Sequence, residues 1–190
     1  MSCSEYALRK MRKCLNMYLA DTHKYGIGVF AAKPYRAGEI VLRDEDGDYY
    51  DRVCSYQELC ERGYDLEHMM QVGLDQFRLP TGSIEDFFNH SCDPNIGIRL
   101  NARGQIILAL RDIAPHEELT YDFSTYQNNP HERISCLCGA PNCRGLVGNF
   151  SSLPLALQRR YRALGIVGDF VAPDVGRRDR QLSVRMAPPP

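Results

Sequence analysis

Apolar and polar positions alternate over short distances along most of this chain, a pattern that predicts small strands rather than long helices. Apolar runs of four to nine residues are separated by turn-forming Gly, Pro, Asn and Asp. The predicted strands cover residues 24–32, 39–42, 69–72, 76–79, 96–100, 105–110 and 119–123. We therefore expect a mainly β protein with short helices.

Three segments carry helix signals instead. Residues 4–19 have Ser4 as a possible N-cap and an apolar stripe at three-to-four spacing. Residues 55–62 begin with the spacing of a capping box, Ser55 to Glu58, and stop at Gly63. A last helix is predicted from Ser152 to Gly165. The two terminal helices predict helical extensions at both ends of the β region.

Length and composition favour one domain with a real core. The chain has 190 residues, of which 44% are hydrophobic, and a net charge of −1. That charge gives no general case for nucleic-acid binding. We see no apolar run long enough for a membrane span and no signal peptide. Eight cysteines without secretory features indicate a reducing, intracellular environment, in the cytoplasm or, in a eukaryote, the nucleus.

Four of the cysteines have metal-site spacing. Cys136, Cys138 and Cys143 form a C-x-C-x4-C cluster, and Cys92 lies far away in sequence. Four thiolates make a closed tetrahedral zinc site, so we predict one structural zinc that joins loop to tail. The other four, expected to be ordinary thiols or core residues, are Cys3, Cys14, Cys54 and Cys60.

Two further stretches are suggestive. Residues 87–95 place an apolar pair, Asn89-His90 and a turn-forming Asp-Pro within nine positions, which predicts a strand end entering a tight loop. Gly26-Ile27-Gly28 permits close approach of a ligand to the main chain, or simply a tight turn. It is not a dinucleotide fingerprint, because the third glycine and the following helix are missing.

Residues 44–48 form an acidic stretch that imitates a calcium loop but lacks its glycine and its final glutamate. Two interpretations stay open for it. It is either a solvated loop or a docking surface for a basic substrate.

Taken in order, Gly26-Ile27-Gly28, the run from Asn89 to Asn95, the run from Glu118 to Phe123 and the cysteine cluster resemble the SET-domain protein lysine methyltransferases with a post-SET zinc knuckle. The resemblance covers residues 24–148. It implies a fold of small curved sheets with a pseudoknot, in which the segment at Tyr121 passes near Asn89. The short chain and its helical tail are similar to compact SET proteins found in bacteria.

The resemblance also implies a division of the chain. It gives an N-terminal helical extension (residues 1–23), a SET domain (24–126), a post-SET zinc knuckle (127–148), a C-terminal helix (149–170) and a disordered tail (171–190).

The resemblance implies methyl transfer from S-adenosylmethionine to the amine of a protein lysine. The residues expected to contact this donor are Gly26, Ile27, Gly28, Asn89, His90, Tyr121 and Leu137. Tyr121 and Phe123 are expected to wall the lysine channel as the catalytic pair. The expected zinc ligands are Cys92, Cys136, Cys138 and Cys143, with no part in the chemistry.

Three positions depart from the family pattern. The family's final tyrosine is Phe123 here, an arginine often found before Asn-His is Asp86, and a second tyrosine aligns near His68. A tyrosine at position 121 implies mono- or dimethylation. The missing hydroxyl leaves an alternative open, a weak or inactive zinc-stabilised module that binds a lysine-bearing peptide.

The implied partner is a protein with an exposed lysine, bound by a monomer. A zinc-knuckle nucleic-acid binder is disfavoured, because the basic residues near Arg159 and Arg177 are local while the net charge is negative.

Overall fold

A computed structural model of the chain describes residues 16–45, 48–64, 69–128 and 134–171. Its strands are β1 Met17–Asp21, β2 Ile27–Ala31, β3 Ile40–Asp44, β4 Val53–Cys54, β5 Met70–Gly73, β6 Gln76–Arg78, β7 Asn89–His90, β8 Ile96–Asn101, β9 Gly104–Ala109, β10 Thr120–Tyr121, β11 Ile134–Ser135 and β12 Leu146–Val147. Its α-helices are α1 Tyr56–Arg62 and α2 Leu155–Leu164, and its 3-10 helices are Ile84–Phe87, Phe123–Thr125 and Phe150–Ser152.

The core lies on a three-stranded sheet in the order β3-β9-β8. Strands β8 and β9 form the predicted antiparallel hairpin, in which Ile98 faces Ile107. Both side chains are buried, together with Val29 of β2 and Leu119 just before β10. Burial of β-branched side chains on this pleated surface explains why the short apolar runs become strands.

Strand β1 corrects the prediction of a helix over residues 4–19. Residues 17–19 are part of a strand that pairs antiparallel with β2, from Met17 opposite Ala31 to Asp21 opposite Ile27. Met17 is buried while Tyr18 and Leu19 are exposed, so pairing with β2 overrides the local helical pattern. The rest of that predicted helix, residues 1–15, lies outside the described residues.

A second small sheet, in the order β4-β6-β5, carries helix α1 beside it. The predicted capping box is confirmed: Ser55 accepts from the backbone N of Glu58, and the Glu58 side chain accepts from the Ser55 backbone. Gly63 ends the helix in the left-handed conformation, with φ of 67°.

The predicted loop at Asn89 and the last strand lie side by side. Strand β10 pairs in parallel with β7, so that Thr120 faces Asn89 and Tyr121 faces His90. Asn95, only 2% exposed, holds this pair together. Its backbone N donates to the Thr120 carbonyl over 3.2 Å, and its Oδ1 accepts from the Thr120 N over 2.9 Å.

Two element boundaries differ from prediction. The last strand stops at Tyr121, because Asp122 caps a 3-10 turn by accepting from the Ser124 backbone N over 3.1 Å. Ser152 does not cap α2 as predicted, because that helix begins at Leu155 with Pro154 as its N-cap residue. Leu153 precedes Pro154 and is extended, as residues before proline usually are.

The interpretation of residues 44–48 as a solvated loop is wrong at positions 44 and 45, while residues 46 and 47 lie outside the described residues. Asp44 belongs to β3, pairs with Gln105 and is 7% exposed, so it is no solvated loop residue. Glu45 accepts from Asn101 Nδ2 over 2.7 Å and pairs with Arg43. Position 44 is thus tied into the sheet by its backbone and Glu45 by its carboxylate, and a docking surface for a basic substrate stays a prediction.

Residues 172–190 of the predicted disordered tail lie outside the described part of the chain. Within that part, no helix combines the length and apolar character that crossing a membrane requires.

Candidate functional site

The two glycines of the Gly26-Ile27-Gly28 run do different jobs. Gly26 has a φ of +77°, which favours glycine in the turn that enters β2. A Cβ on Gly28 would lie 2.7 Å from Glu118 Oε1 and 2.8 Å from Asn89 Nδ2. A side chain at position 28 would therefore displace Asn89 and Glu118, together with Thr22, whose Cγ2 lies 2.5 Å from the added Cβ.

Asn89 joins three segments at this point. Its Nδ2 donates to the Ile27 carbonyl over 3.2 Å and to Glu118 Oε1 over 2.8 Å. The structure thus brings the glycine run and the predicted Asn89-His90 loop into direct contact. Their binding of a donor stays a prediction.

His90 connects the loop to both the channel aromatics and the cysteines. Its Nδ1 accepts from the Phe123 backbone N over 3.2 Å, and its Nε2 lies 3.4 Å from Cys92 Sγ. Burial lowers the pKa of His90 to about 4, although Asp122 opposes this. The ring is therefore neutral at pH 7 with its proton on Nε2, which faces the sulfur.

The predicted cysteine set comes together. The Sγ atoms of Cys92, Cys136, Cys138 and Cys143 all lie within 4.8 Å of one another. The Sγ–Sγ distances from Cys136 are 3.7 Å to Cys92 and 3.6 Å to Cys143. A tetrahedral zinc with Zn–S bonds of about 2.3 Å requires sulfurs about 3.8 Å apart. The cluster fits such an ion.

Backbone donors around the cluster suit thiolate sulfurs. The backbone N of Arg144 donates to Cys92 Sγ over 3.3 Å, and that of Gly145 to Cys143 Sγ over 3.4 Å. Burial alone would raise the pKa of Cys138, but hydrogen bonds at the Cys92 and Ala140 backbone outweigh it and lower the value to about 6. Such contacts fix the orientation of metal ligands.

Tyr25 fastens this cysteine knuckle (residues 134–147) to the glycine run, a contact that sequence reasoning missed. Its hydroxyl oxygen accepts from the Leu137 backbone N over 2.7 Å. Lys24 Nζ also reaches the Cys138 carbonyl at 3.5 Å. Burial raises the pKa of Tyr25, so the hydroxyl stays protonated near neutral pH. The sequence feature that could have pointed to this contact is the position of Tyr25 directly before Gly26.

The Leu137 side chain is 64% exposed. The ordered contact at this position is its backbone N–H to Tyr25. Its role in covering a ligand stays a prediction.

One cavity of about 260 Å³ is lined by residues from the predicted donor loop, the predicted channel wall and the cysteine cluster, but not by the glycine run or Leu137. Asn89, His90 and Cys136 line it beside the knuckle. Its aromatic lining consists of Tyr25, Tyr49, Phe88, Tyr121, Phe123 and Tyr126. The cavity therefore joins the predicted donor loop to the predicted lysine channel.

Within the aromatic lining, Tyr121 and Phe123 pack against each other with ring centroids 4.7 Å apart. The Phe123 ring also meets the His90 imidazole at 5.3 Å. Tyr121 and Phe123 are both partly exposed, as expected for residues of a wall that contacts a ligand.

The other side of the cavity is polar, and sequence reasoning missed it. Its polar residues include Gln71, Arg78, Glu85, Asp86, Gln105 and Gln127. Burial is the main cause that raises the pKa of Glu85, and the charge of Asp44 adds to it. The Arg78 guanidinium lies over the Tyr49 ring, 4.6 Å from its centroid.

Two buried donors on this side have no partner. Over the described ranges, the buried side-chain nitrogens and oxygens without a hydrogen bond are Arg78 Nε and Gln127 Nε2. Both residues line the cavity and are less than 9% exposed. An unpaired buried donor costs about 1–3 kcal/mol, so this wall suits a ligand that brings hydrogen-bond acceptors.

Asp86, the position where the family often has arginine, has a clear role. Its carboxylate accepts from Arg78 Nη1 over 2.9 Å and from the backbone N of Thr81 and of Gly82. The ion pair anchors β6 to the 3-10 helix that precedes β7. His68, the other aligned departure, lies outside the described residues.

Comparison with known proteins agrees with this geometry. The model of the family described as "SET domain" matches residues 26–124, just over half of the chain. Histone-lysine N-methyltransferase ATX2 of Arabidopsis thaliana is 35% identical over 139 residues, 66% of this chain and 12% of that protein. The H3 lysine-4 specific enzyme of Debaryomyces hansenii is 31% identical over 148 residues, 73% of this chain and 13% of that protein. The chain thus spans about an eighth of the length of these relatives.

Among solved structures, KRYPTONITE in complex with mCHG DNA and SAH is 25% identical. The match covers 70% of this chain and 29% of the KRYPTONITE chain, with a TM-score of 0.51. The small-sheet architecture and the family match agree, and the chain belongs to the SET-domain family.

Proposed function

We propose that this protein transfers a methyl group from S-adenosylmethionine to the side-chain amine of a protein lysine. One observation carries the proposal. A single cavity is lined both by the Asn89-His90 loop beside Tyr25 and by the Tyr121-Phe123 wall. Donor and acceptor can meet there without leaving the protein.

The chain's own contribution is alignment and exclusion of water. A free lysine has a pKa of about 10.4 and must lose a proton before its nitrogen can attack. Loss of water in a channel walled by Tyr121, Phe123 and Phe88 disfavours the charged ammonium, and the positive sulfonium of the donor adds repulsion. Direct displacement then needs nitrogen, methyl carbon and sulfur in line, which a rigid wall provides.

Residue 123 is phenylalanine, where the family has tyrosine. The alignment of the lysine amine therefore depends on other groups. Phe123 supplies a flat apolar wall and no hydroxyl. Tyr121 supplies the hydroxyl at the neighbouring position of the channel. A hydroxyl there crowds the channel, so we propose mono- or dimethyl-lysine as the product.

Zinc, bound by the four thiolates, would supply structure and no open coordination position. Cys92 comes from the donor loop and the other three cysteines come from the knuckle. A bound ion would therefore connect the donor loop to the knuckle beside the cavity.

A histone tail is the first substrate to test. The relative from Debaryomyces hansenii is described as specific for lysine 4 of histone H3. The unpaired donors of Arg78 and Gln127 also suit the carbonyl oxygens of an extended peptide. Other proteins with an exposed lysine stay candidates.

A binding module without turnover is the second candidate, and Phe123 is the observation that favours it. Such a module would use the same cavity to hold a lysine-bearing peptide. It would transfer no methyl group, and a hydroxyl restored at position 123 would create activity.

The deciding experiment incubates zinc-loaded protein with methyl-labelled donor and either histone H3 peptide or a whole proteome. Modified lysines are mapped by mass spectrometry. We expect transfer by the native protein and strong loss in Tyr121→Phe. The matched control is Tyr64→Phe, at a tyrosine that is 44% exposed and outside the cavity. Absence of transfer to every substrate, with activity appearing in Phe123→Tyr, would establish the binding module instead.

A further inference from the structure

Asp122 sits between the two channel aromatics and is fully buried, with a side-chain exposure of 0%. Its Oδ1 accepts from Arg144 Nη2 over 2.7 Å and from the Ser124 backbone N over 3.1 Å. Its Oδ2 accepts from the Tyr161 hydroxyl over 3.1 Å. A buried carboxylate needs such partners, and here they come from two separate segments.

Arg144 links this carboxylate to the cysteine cluster. Its backbone N donates to Cys92 Sγ over 3.3 Å while its guanidinium pairs with Asp122. The same guanidinium lies 3.4 Å from Ser124 Oγ. The knuckle and the channel wall are therefore held through one side chain.

Tyr161 links the carboxylate to helix α2. The residue is 1% exposed and packs in a separate apolar cluster with Phe150, Leu153 and Ile166. It is not among the described residues that line the cavity. Its hydroxyl can act on the reaction only through Asp122.

Helix α2 is itself fixed against the catalytic segment. Arg99 donates to the Leu164 carbonyl from Nε over 3.1 Å and from Nη2 over 2.6 Å, next to the end of the helix. Just beyond it, the Gly168 backbone N donates to the Thr125 carbonyl over 3.0 Å. Because α2 is held at these points, the Tyr161 hydroxyl can hold Asp122 in place, and with it the adjacent Tyr121-Phe123 wall.

We infer that Tyr161 is a positioning residue for methyl transfer, which fixes the Tyr121-Phe123 wall through Asp122. The inference rests on the proposed function. Phe123 has no hydroxyl that could hold the lysine amine. The rate of methyl transfer therefore depends on the positions of the Tyr121 and Phe123 rings. A misplacement of about 1 Å can lower a rate by about 100-fold.

The test compares Tyr161→Phe with Tyr35→Phe. Tyr35 is an equally buried tyrosine whose hydroxyl donates to the Asn16 carbonyl over 3.0 Å, outside the cavity. Each variant loses one hydrogen bond of a buried tyrosine, part-buried at Tyr35 and buried at Tyr161, and keeps its ring. We measure kcat, both KM values, the Kd of S-adenosylhomocysteine, zinc content and the ratio of methylated products, below the melting temperature of each variant.

We expect Tyr161→Phe to lower kcat by about tenfold or more, to change the product ratio and to leave the Kd of S-adenosylhomocysteine within about twofold. Tyr35→Phe should keep kcat within about twofold of native. Equal kcat in the two variants would reduce Tyr161 to a structural role and overturn the inference. Loss of zinc in Tyr161→Phe would overturn it too.

A second measurement does not depend on turnover. The ring NMR signals of Tyr121 and Phe123 should shift in Tyr161→Phe and stay in place in Tyr35→Phe. Unmoved signals would overturn the inference whether or not the native protein transfers a methyl group. Absence of methyl transfer by itself would count only against the proposed function. If Tyr161→Phe does not fold, Asp122→Asn is measured instead, and native kcat in that variant would likewise overturn the inference.

Discussion

Single atoms decide which side chains the site tolerates. Gly28 has no room for a Cβ because Asn89 and Glu118 occupy it, whereas Gly26 and Gly38 have free space but a positive φ. Arg78 Nε and Gln127 Nε2 show a different situation, because each is a buried donor without a hydrogen-bond partner. The site region thus combines a tightly packed glycine with buried donors that lack a partner.

Gly28→Ala should destabilise the fold by about 1–3 kcal/mol, because the new methyl overpacks a filled contact. It should also weaken donor binding, since the displaced Asn89 belongs to the predicted donor loop. Urea unfolding and calorimetric titration with S-adenosylmethionine measure both effects. Gly38→Ala is the control, because its φ of +81° costs about 1–2 kcal/mol without any contact near the cavity. Native donor affinity in Gly28→Ala would contradict the prediction.

Gln127→Met should leave the free protein as stable as the native chain or up to about 1 kcal/mol more stable, because it removes an unpaired buried donor. It should raise the KM for the peptide several-fold, on the order of one lost hydrogen bond, and leave the donor KM unchanged. Steady-state kinetics with varied peptide and varied donor separate the two. Gln57→Met on helix α1, where Gln57 Nε2 donates to Glu61, serves as the comparison. An unchanged peptide KM would mean that water, and not substrate, meets Gln127.

At the scale of elements, local signals were predictable and long-range ones were not. The capping box at Ser55 and the β8-β9 hairpin followed from residue spacing. The grouping of Cys92 with the three knuckle cysteines is the long-range exception, because four thiolates are what a closed zinc site requires. Strand β1 escaped prediction because its partner, β2, decides its conformation. The polar wall with Arg78 and Gln127 escaped it as well, because tertiary packing alone brings those distant side chains together.

Tyr25→Phe tests the contact between two such elements, the glycine run and the knuckle. The change removes the acceptor of the Leu137 backbone N–H and keeps the ring. We expect a stability loss of about 1 kcal/mol, full zinc content and a several-fold higher donor KM. Tyr50→Phe provides the matched control, because that hydroxyl donates to the Asn101 carbonyl over 2.7 Å away from the cavity. A donor KM equal to that of Tyr50→Phe would show that the knuckle is held without Tyr25.

At the scale of the molecule, the apolar cores are separate but share polar connections. The main core surrounds Val29, Ile107 and Leu119, and a second one surrounds Tyr161 on α2. The cysteines pack in a cluster of their own with Val147. His90, Asp122 and Arg144 connect these cores through their side-chain contacts, and of the three His90 lines the cavity. The knuckle can therefore loosen while the main sheet stays folded.

Zinc removal tests this separation. The native protein should contain about one zinc per chain, and Cys92→Ser should lose most of it, because three thiolates remain. Activity should fall with the metal, since the knuckle loses its clamp beside the cavity. Hydrogen exchange should rise at residues 134–147 while β8 and β9 keep their protection, because their core lies apart from the cysteines.

Cys60→Ser, at an exposed cysteine outside the cluster, should keep metal and activity. Full zinc and full activity in Cys92→Ser would refute the clamp that joins the donor loop to the knuckle.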